Sequence, residues 1–120
     1  MHAFDVLGDP VRRRILEALV DQERSAGQIV ALVEQQFGIS QSAVSQHLRV
    51  LRDHGFARVR HEGTRRIYAI DPTALREVDA WLEQFRGFWD NRLDALATEI
   101  ARGKRDRPRK ARKRSQSEST

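Results

Sequence analysis

The sequence has 120 residues, with 22 Lys and Arg against 17 Asp and Glu for a net charge of +5, and no cysteine. That length holds one compact domain and little more, which excludes a two-domain enzyme with an interdomain cleft. Without cysteine there is no disulfide framework, thiolate metal site, iron–sulfur cluster or cysteine nucleophile.

No apolar run approaches the roughly 18 residues of a membrane span, and Met1-His2-Ala3-Phe4-Asp5 has neither the basic nor the apolar region of a signal peptide. A soluble cytoplasmic chain with no membrane partner is expected.

Helix signals come first along the chain. A short helix is expected around Phe4 to Leu7. Asp9-Pro10 then sets a cap acceptor before a proline at the first helical position, and Val11, Ile15, Leu16 and Leu19 follow at helical spacing. Ser25 and Gln28 have capping-box spacing, and Ile29, Val33 and Phe37 continue one apolar stripe until Gly38. Ser40 caps the next helix, whose buried face is Val44, Leu48 and Leu51 and which ends at Gly55. Two helices joined by so short a Gly-containing segment make a helix-turn-helix candidate.

From Phe56 the period changes to two. Ala57, Val59 and His61 alternate with Arg58 and Arg60, Glu62-Gly63-Thr64 turns, and residues 66–70 run back as a second strand. Asp71-Pro72 then repeats the cap-and-proline start. Leu75, Val78, Leu82, Phe85, Trp89, Leu93, Leu96 and Ile100 follow at spacings of three or four, with Trp81 and Phe88 widening the stripe. Gly87 lies inside this run and leaves open whether it is one helix or two.

Charge is distributed unevenly. Residues 102–120 hold nine basic and two acidic side chains, a net of +7, and lack apolar periodicity. The first 101 residues carry −2, yet within them the window 40–70 has six arginines against Asp53 and Glu62, a net of +4. The chain therefore divides into a domain over 1–102 and a basic, disordered tail over 103–120. The tail is expected to add sequence-independent phosphate affinity.

On the helix after Ser40, Val44, Leu48, Leu51 and Gly55 cluster within about 60°, while Ser42, Gln46, Arg49 and Asp53 lie roughly 100° to 160° away. Gln41 and Ser45 sit at the N-terminal tip and flank, where a recognition helix meets base edges. Gln pairs bidentately with adenine, Arg forks onto guanine, and Ser serves several bases or phosphate. Arg60, Arg65 and Arg66 surround the hairpin turn as a wing reaching for phosphates or the minor groove would. The ten apolar positions after Pro72 exceed what one such body readily buries, so a symmetric partner helix is their expected cover.

Asp9-Pro10-Val11-Arg12-Arg13-Arg14-Ile15-Leu16, the run Ile39 to Arg52, Gly55-Phe56 and the Gly63 wing together resemble the ArsR/SmtB family of bacterial winged-helix repressors, over about residues 3 to 101. The resemblance implies a mainly α fold with a β-hairpin wing, a winged helix-turn-helix with N- and C-terminal dimerisation helices. It implies a homodimer on double-stranded operator DNA with two-fold symmetry, and places Gln41, Ser42, Ser45 and Gln46 on DNA-touching positions, with His47 following. Many relatives carry His where Gln46 stands.

The chain departs from the metal-sensing members. Where they hold thiolates it has Ala26, Gly27, Gln28, Ile29, Val30 and Ala31, and residues 72–101 contain no His. His47 and His54 are seven residues apart, about 10 Å along a helix and too far to share an ion. No metal or cofactor is expected from these residues, and they show no replacement effector site, which leaves the effector unknown.

Nor is catalysis: there is no Gly-rich phosphate loop, no HExxH and no Ser, His and Asp at motif spacing. The expected function is a sequence-specific, dimeric DNA-binding repressor. Its recognition residues are Gln41, Ser42, Ser45, Gln46, His47 and Arg49, its wing residues Arg60, Arg65 and Arg66, and its dimer contacts Phe4, Leu75, Val78, Trp81, Leu82, Phe85, Phe88, Trp89, Leu93 and Leu96. The alternatives are a non-specific architectural DNA- or RNA-binding protein relying on the tail, and a dimeric module that binds only protein.

Overall fold

The structure, a computed structural model, describes residues 2–103. The tail beyond Gly103 lies outside the described residues. Each predicted helix start is present with its cap. Helix α1 (Ala3–Leu7) is followed by α2 (Pro10–Val20), where Asp9 Oδ1 accepts from the N–H groups of Val11 at 2.8 Å and Arg12 at 3.2 Å. Helix α3 (Ala26–Phe37) opens with the Ser25–Gln28 capping box and closes at Gly38, whose φ of 68° is the left-handed conformation a helix C-cap requires. Ser40 Oγ accepts from Ala43 N–H at 3.1 Å and starts α4 (Gln41–Asp53). Only Gly38, Ile39 and Ser40 separate α3 from α4.

One element has no counterpart in the sequence reading: a two-residue strand β1 (Arg24–Ser25) just before α3. It pairs antiparallel with β3 (Arg65–Ile70), which also pairs with β2 (Ala57–Glu62), giving the order β1-β3-β2. Two residues are too few to show alternation, and Ser25 is already spoken for as the α3 cap. Glu62 opposite Arg65 leaves Gly63-Thr64 as the turn, with positive φ at the first central residue alone, as a type II′ hairpin requires.

Val6, Ile15, Ile29, Val33, Val44, Leu51 and Phe56 are completely buried, and no polar side chain is buried among the described residues. Burial of each large apolar side chain contributes about 1.5 to 3 kcal/mol of transfer free energy. Gly55 and Phe56 join three elements at one point. Phe56 N–H donates to Leu51 at the end of α4, Ala74 N–H donates to the Gly55 carbonyl at 3.0 Å, and Asp71 N–H donates to Phe56 at 3.0 Å.

Helix α5 (Pro72–Gly103) runs through Gly87 without interruption, which settles the choice left open above in favour of one helix. Gly87 lies roughly opposite the apolar stripe at about 100° per residue. A Cβ there would meet nothing within 4 Å, so the glycine costs about 1 kcal/mol of helix propensity and nothing in packing. The helix up to Ala80 belongs to the compact body, and the residues from Trp81 form a second unit.

Candidate nucleic-acid interface

Helix α4 divides its residues as the sequence predicts. Val44, Leu48 and Leu51 are buried, while Gln41, Ser42, Gln46 and Arg49 are exposed and Ser45 is half-buried. Among the described residues, none of these five polar side chains makes a hydrogen bond or ion pair within the chain. They form a row of uncommitted donors and acceptors on a helix whose other face is anchored in the core. His47 differs. It is half-buried, and its Nδ1 lies 3.3 Å from Arg12 Nη1 on α2.

The wing arginines, equivalent in the sequence reading, have different surroundings. Arg60 Nη2 donates to Glu23 at 2.6 Å and Nη1 to Glu62 at 2.9 Å. Arg60 and Ser25 both stand opposite Ile67, so the guanidinium reaches over the central strand to the segment leading into β1. The hydrogen bonds that Arg60 donates to Glu23 and then to Glu62 raise its pKa, and the second of these bonds holds the Glu62 carboxyl below its ordinary value. Arg65 stands 4.0 Å from Glu62, the margin of an ion pair. Arg66, opposite His61 in the register, is exposed and has no such partner among the described residues. The Arg60–Glu23 contact joins residues 37 apart, and no local pattern announces it.

The apolar stripe of α5 keeps large side chains at the surface. Phe88 is 58% exposed, Leu96 54%, Leu93 49% and Trp89 41%, with Phe85 and Ile100 also exposed. Within this unit Phe85 lies against Trp81 and Trp89, with ring centroids 4.8 and 6.4 Å apart, and Arg92 stacks over Phe88 at 4.6 Å. Trp81 and Phe4 are exposed at 48% and 39%. Val78 and Leu82 are half-buried, and Leu75 packs against the core of the body. No group of three or more His, Cys, Asp or Glu able to hold a metal ion occurs among the described residues.

Comparison with known proteins agrees with this geometry. The helix-turn-helix domain family matches residues 7–60. The HTH-type transcriptional regulator Rv2034 of Mycobacterium tuberculosis is 35% identical over 95 residues, covering 79% of this chain and 82% of that protein. The crystal structure of an ArsR family transcriptional regulator superposes with a TM-score of 0.62 at 26% identity, covering 73% of this chain and 87% of the other. The chain belongs to the ArsR/SmtB family of transcriptional regulators. Another structure of this family type, the homodimeric winged helix-turn-helix DNA-binding domain of Mb0332 from Mycobacterium bovis, matches with a TM-score of 0.54 at 26% identity, covering 68% of this chain and 71% of that one. The winged helix-turn-helix expected of an ArsR/SmtB protein is the fold observed, with α3 and α4 as the helix pair and β2–β3 as the wing.

Proposed function

We propose that this chain is a dimeric, sequence-specific DNA-binding regulator that represses transcription by occupying an operator of two-fold symmetry. The observation that carries the reading is the outward face of α4, where Gln41, Ser42, Gln46 and Arg49 are exposed and uncommitted among the described residues. Polar groups held rigidly by a buried face but unused within the chain are what base-edge readout needs. Ser45 sits on the flank, and His47 contributes through its ring rather than from the outward face. Arg66 and the less paired Arg65 supply phosphate contacts, and Arg60 braces the wing.

The exposed stripe of α5, from Phe85 to Ile100, supports self-association, as does the homodimeric state of the Mycobacterium bovis relative. A two-fold dimer would set its two recognition helices about 34 to 36 Å apart, one turn of DNA. A dimer so placed covers the promoter segment that polymerase must contact. The residues offer no catalytic constellation, and the place of action is the cytoplasm, where the chromosome is.

Selection from a randomised duplex pool tests the reading. The chain should enrich a palindromic site, and Gln46→Ala should relax preference at one symmetric pair of positions by about 1 to 3 kcal/mol. A ratio of selected to bulk DNA affinity near unity would refute it in favour of non-specific binding through the basic tail.

A further inference from the structure

Arg12 is half-buried at the start of α2, and each of its three guanidinium nitrogens has a partner. Nε donates to the Val6 carbonyl at 2.8 Å, Nη2 to the Asp5 carbonyl at 3.1 Å, and Nη1 lies 3.3 Å from His47 Nδ1. Arg13 adds a bond from Nη1 to the Leu7 carbonyl at 2.8 Å. The five residues of α1 are too few to hold a helix unaided. Two arginines taking the carbonyls of Asp5, Val6 and Leu7 fix this segment to α2.

The third contact has chemical content. A guanidinium has donors only, so His47 Nδ1 must be the acceptor, and the ring must be neutral with its proton on Nε2. A ring protonated at Nδ1 would set a donor against a donor. Arg12 therefore fixes the tautomer as well as the orientation of the imidazole. It leaves Nε2–H as the ring's one polar group with no partner among the described residues, beside Gln46 in sequence.

We infer that Arg12 is a positioning residue for DNA recognition, holding His47 in one tautomer and thereby tying α4 to α1. The inference rests on the reading of α4 as the recognition helix. Lysine cannot replace it, because a single ammonium lacks the fixed fork that reaches two carbonyls and a ring nitrogen together.

Two measurements on the full chain test this. The first is the 15N shifts of the His47 ring at about pH 8, above the ordinary imidazole range. The wild type should show the Nε2–H tautomer, and Arg12→Met a mixture. The second is affinity for the duplex that the wild type enriches from a random pool, against a shuffled duplex. Arg12→Met and His47→Phe should each weaken the enriched duplex by about tenfold and the shuffled one by less than about twofold, and the double variant should be no weaker than the worse single. His47→Asn, which keeps an acceptor near the Nδ1 position, should recover part of the affinity. Arg12→Lys, which keeps the charge but not the fork, should show the same selective weakening when both duplexes are measured well below its own melting temperature, separating positioning from unfolding.

An unchanged tautomer in Arg12→Met, effects that multiply in the double variant, or equal weakening on both duplexes would overturn the inference while leaving the reading of α4 intact. A wild-type chain that enriches no sequence would overturn both.

Discussion

The unequal pairing of the wing arginines makes a quantitative prediction about salt. Arg66 has no carboxylate partner among the described residues, whereas Arg60 is matched by Glu23 at 2.6 Å and Glu62 at 2.9 Å. A protein that neutralises one fewer phosphate of B-DNA has a dependence of log affinity on log salt that is flatter by about 0.9. A symmetric dimer has two wings, so Arg66→Gln should flatten the slope by about 1.8. Between 50 and 200 mM salt, a factor of four, that difference amounts to about 1.1 log units, or roughly twelvefold in affinity.

The comparison is the charge-neutral pair Glu23→Gln with Arg60→Gln, which removes an ion pair and no net charge. If Arg60 is occupied in bracing the sheet, the pair variant should leave the slope within about 0.3 of the wild type. Fluorescence anisotropy of one labelled duplex across a salt series measures both. A pair variant whose slope falls as far as that of Arg66→Gln would refute the reasoning, because Arg60 would then have left its carboxylates for phosphate. An unchanged slope in Arg66→Gln would refute it from the other side.

Three further predictions concern assembly, acid stability and the core. Leu96→Glu sets a charge in the C-terminal part of the α5 stripe and should weaken self-association by at least about tenfold in analytical ultracentrifugation, since an unpaired carboxylate resists burial. A concentration-independent mass equal to the wild type's would remove the stripe from the dimer interface. At the start of α5 the Asp71 carboxyl is held below its ordinary value by the Thr73 N–H and then the Thr73 hydroxyl. Its contribution is therefore fully present above the ordinary carboxylate range and is lost as pH falls through and below that range. Asp71→Asn keeps a capping acceptor and should flatten the acid side of a melting-temperature profile; an equally steep acid limb would show that other carboxylates control it. Leu48→Ala in the α4 core should cost about 2 to 5 kcal/mol in denaturant unfolding, and a cost below about 1 kcal/mol would mean that the site collapses around the deletion.

What was legible in the sequence is what local rules govern. Asp9-Pro10, Ser25 with Gln28, Ser40 and Asp71-Pro72 each mark a helix start, because a cap is a contact between residues two or three apart. The division of α4 into a buried row and a polar row is equally local. The strand Arg24–Ser25 escaped because its identity comes from Tyr68 and Ile67, more than forty residues away. The bond from Arg60 to Glu23 was not legible because the two are remote in sequence, and the contact of His47 with Arg12 was hidden for the same reason. Both contacts join residues remote in sequence, and both involve an arginine long enough to choose among several partners.

The same point alters how charge should be read across the window 40–70. Of its six arginines, Arg52 is bonded to the adjacent Asp53, Arg60 to Glu23 and Glu62, and Arg65 stands at the margin of Glu62, while Arg58 shares the field of Asp71. Arg49 on α4, Arg58 on β2 and Arg66 on β3 are left with neither hydrogen bond nor ion pair among the described residues. A formal excess of +4 thus resolves into three unpaired cations, Arg49 beside the base-reading row and Arg58 and Arg66 on the wing. Positive charge that is already neutralised at short range releases few counterions when DNA arrives. Non-specific affinity of the folded domain should accordingly be modest for its arginine content, and discrimination should depend on Arg49 and its polar neighbours more than on total charge. Arg49→Gln should then narrow the gap between selected and shuffled duplexes, whereas Arg66→Gln should lower both affinities together.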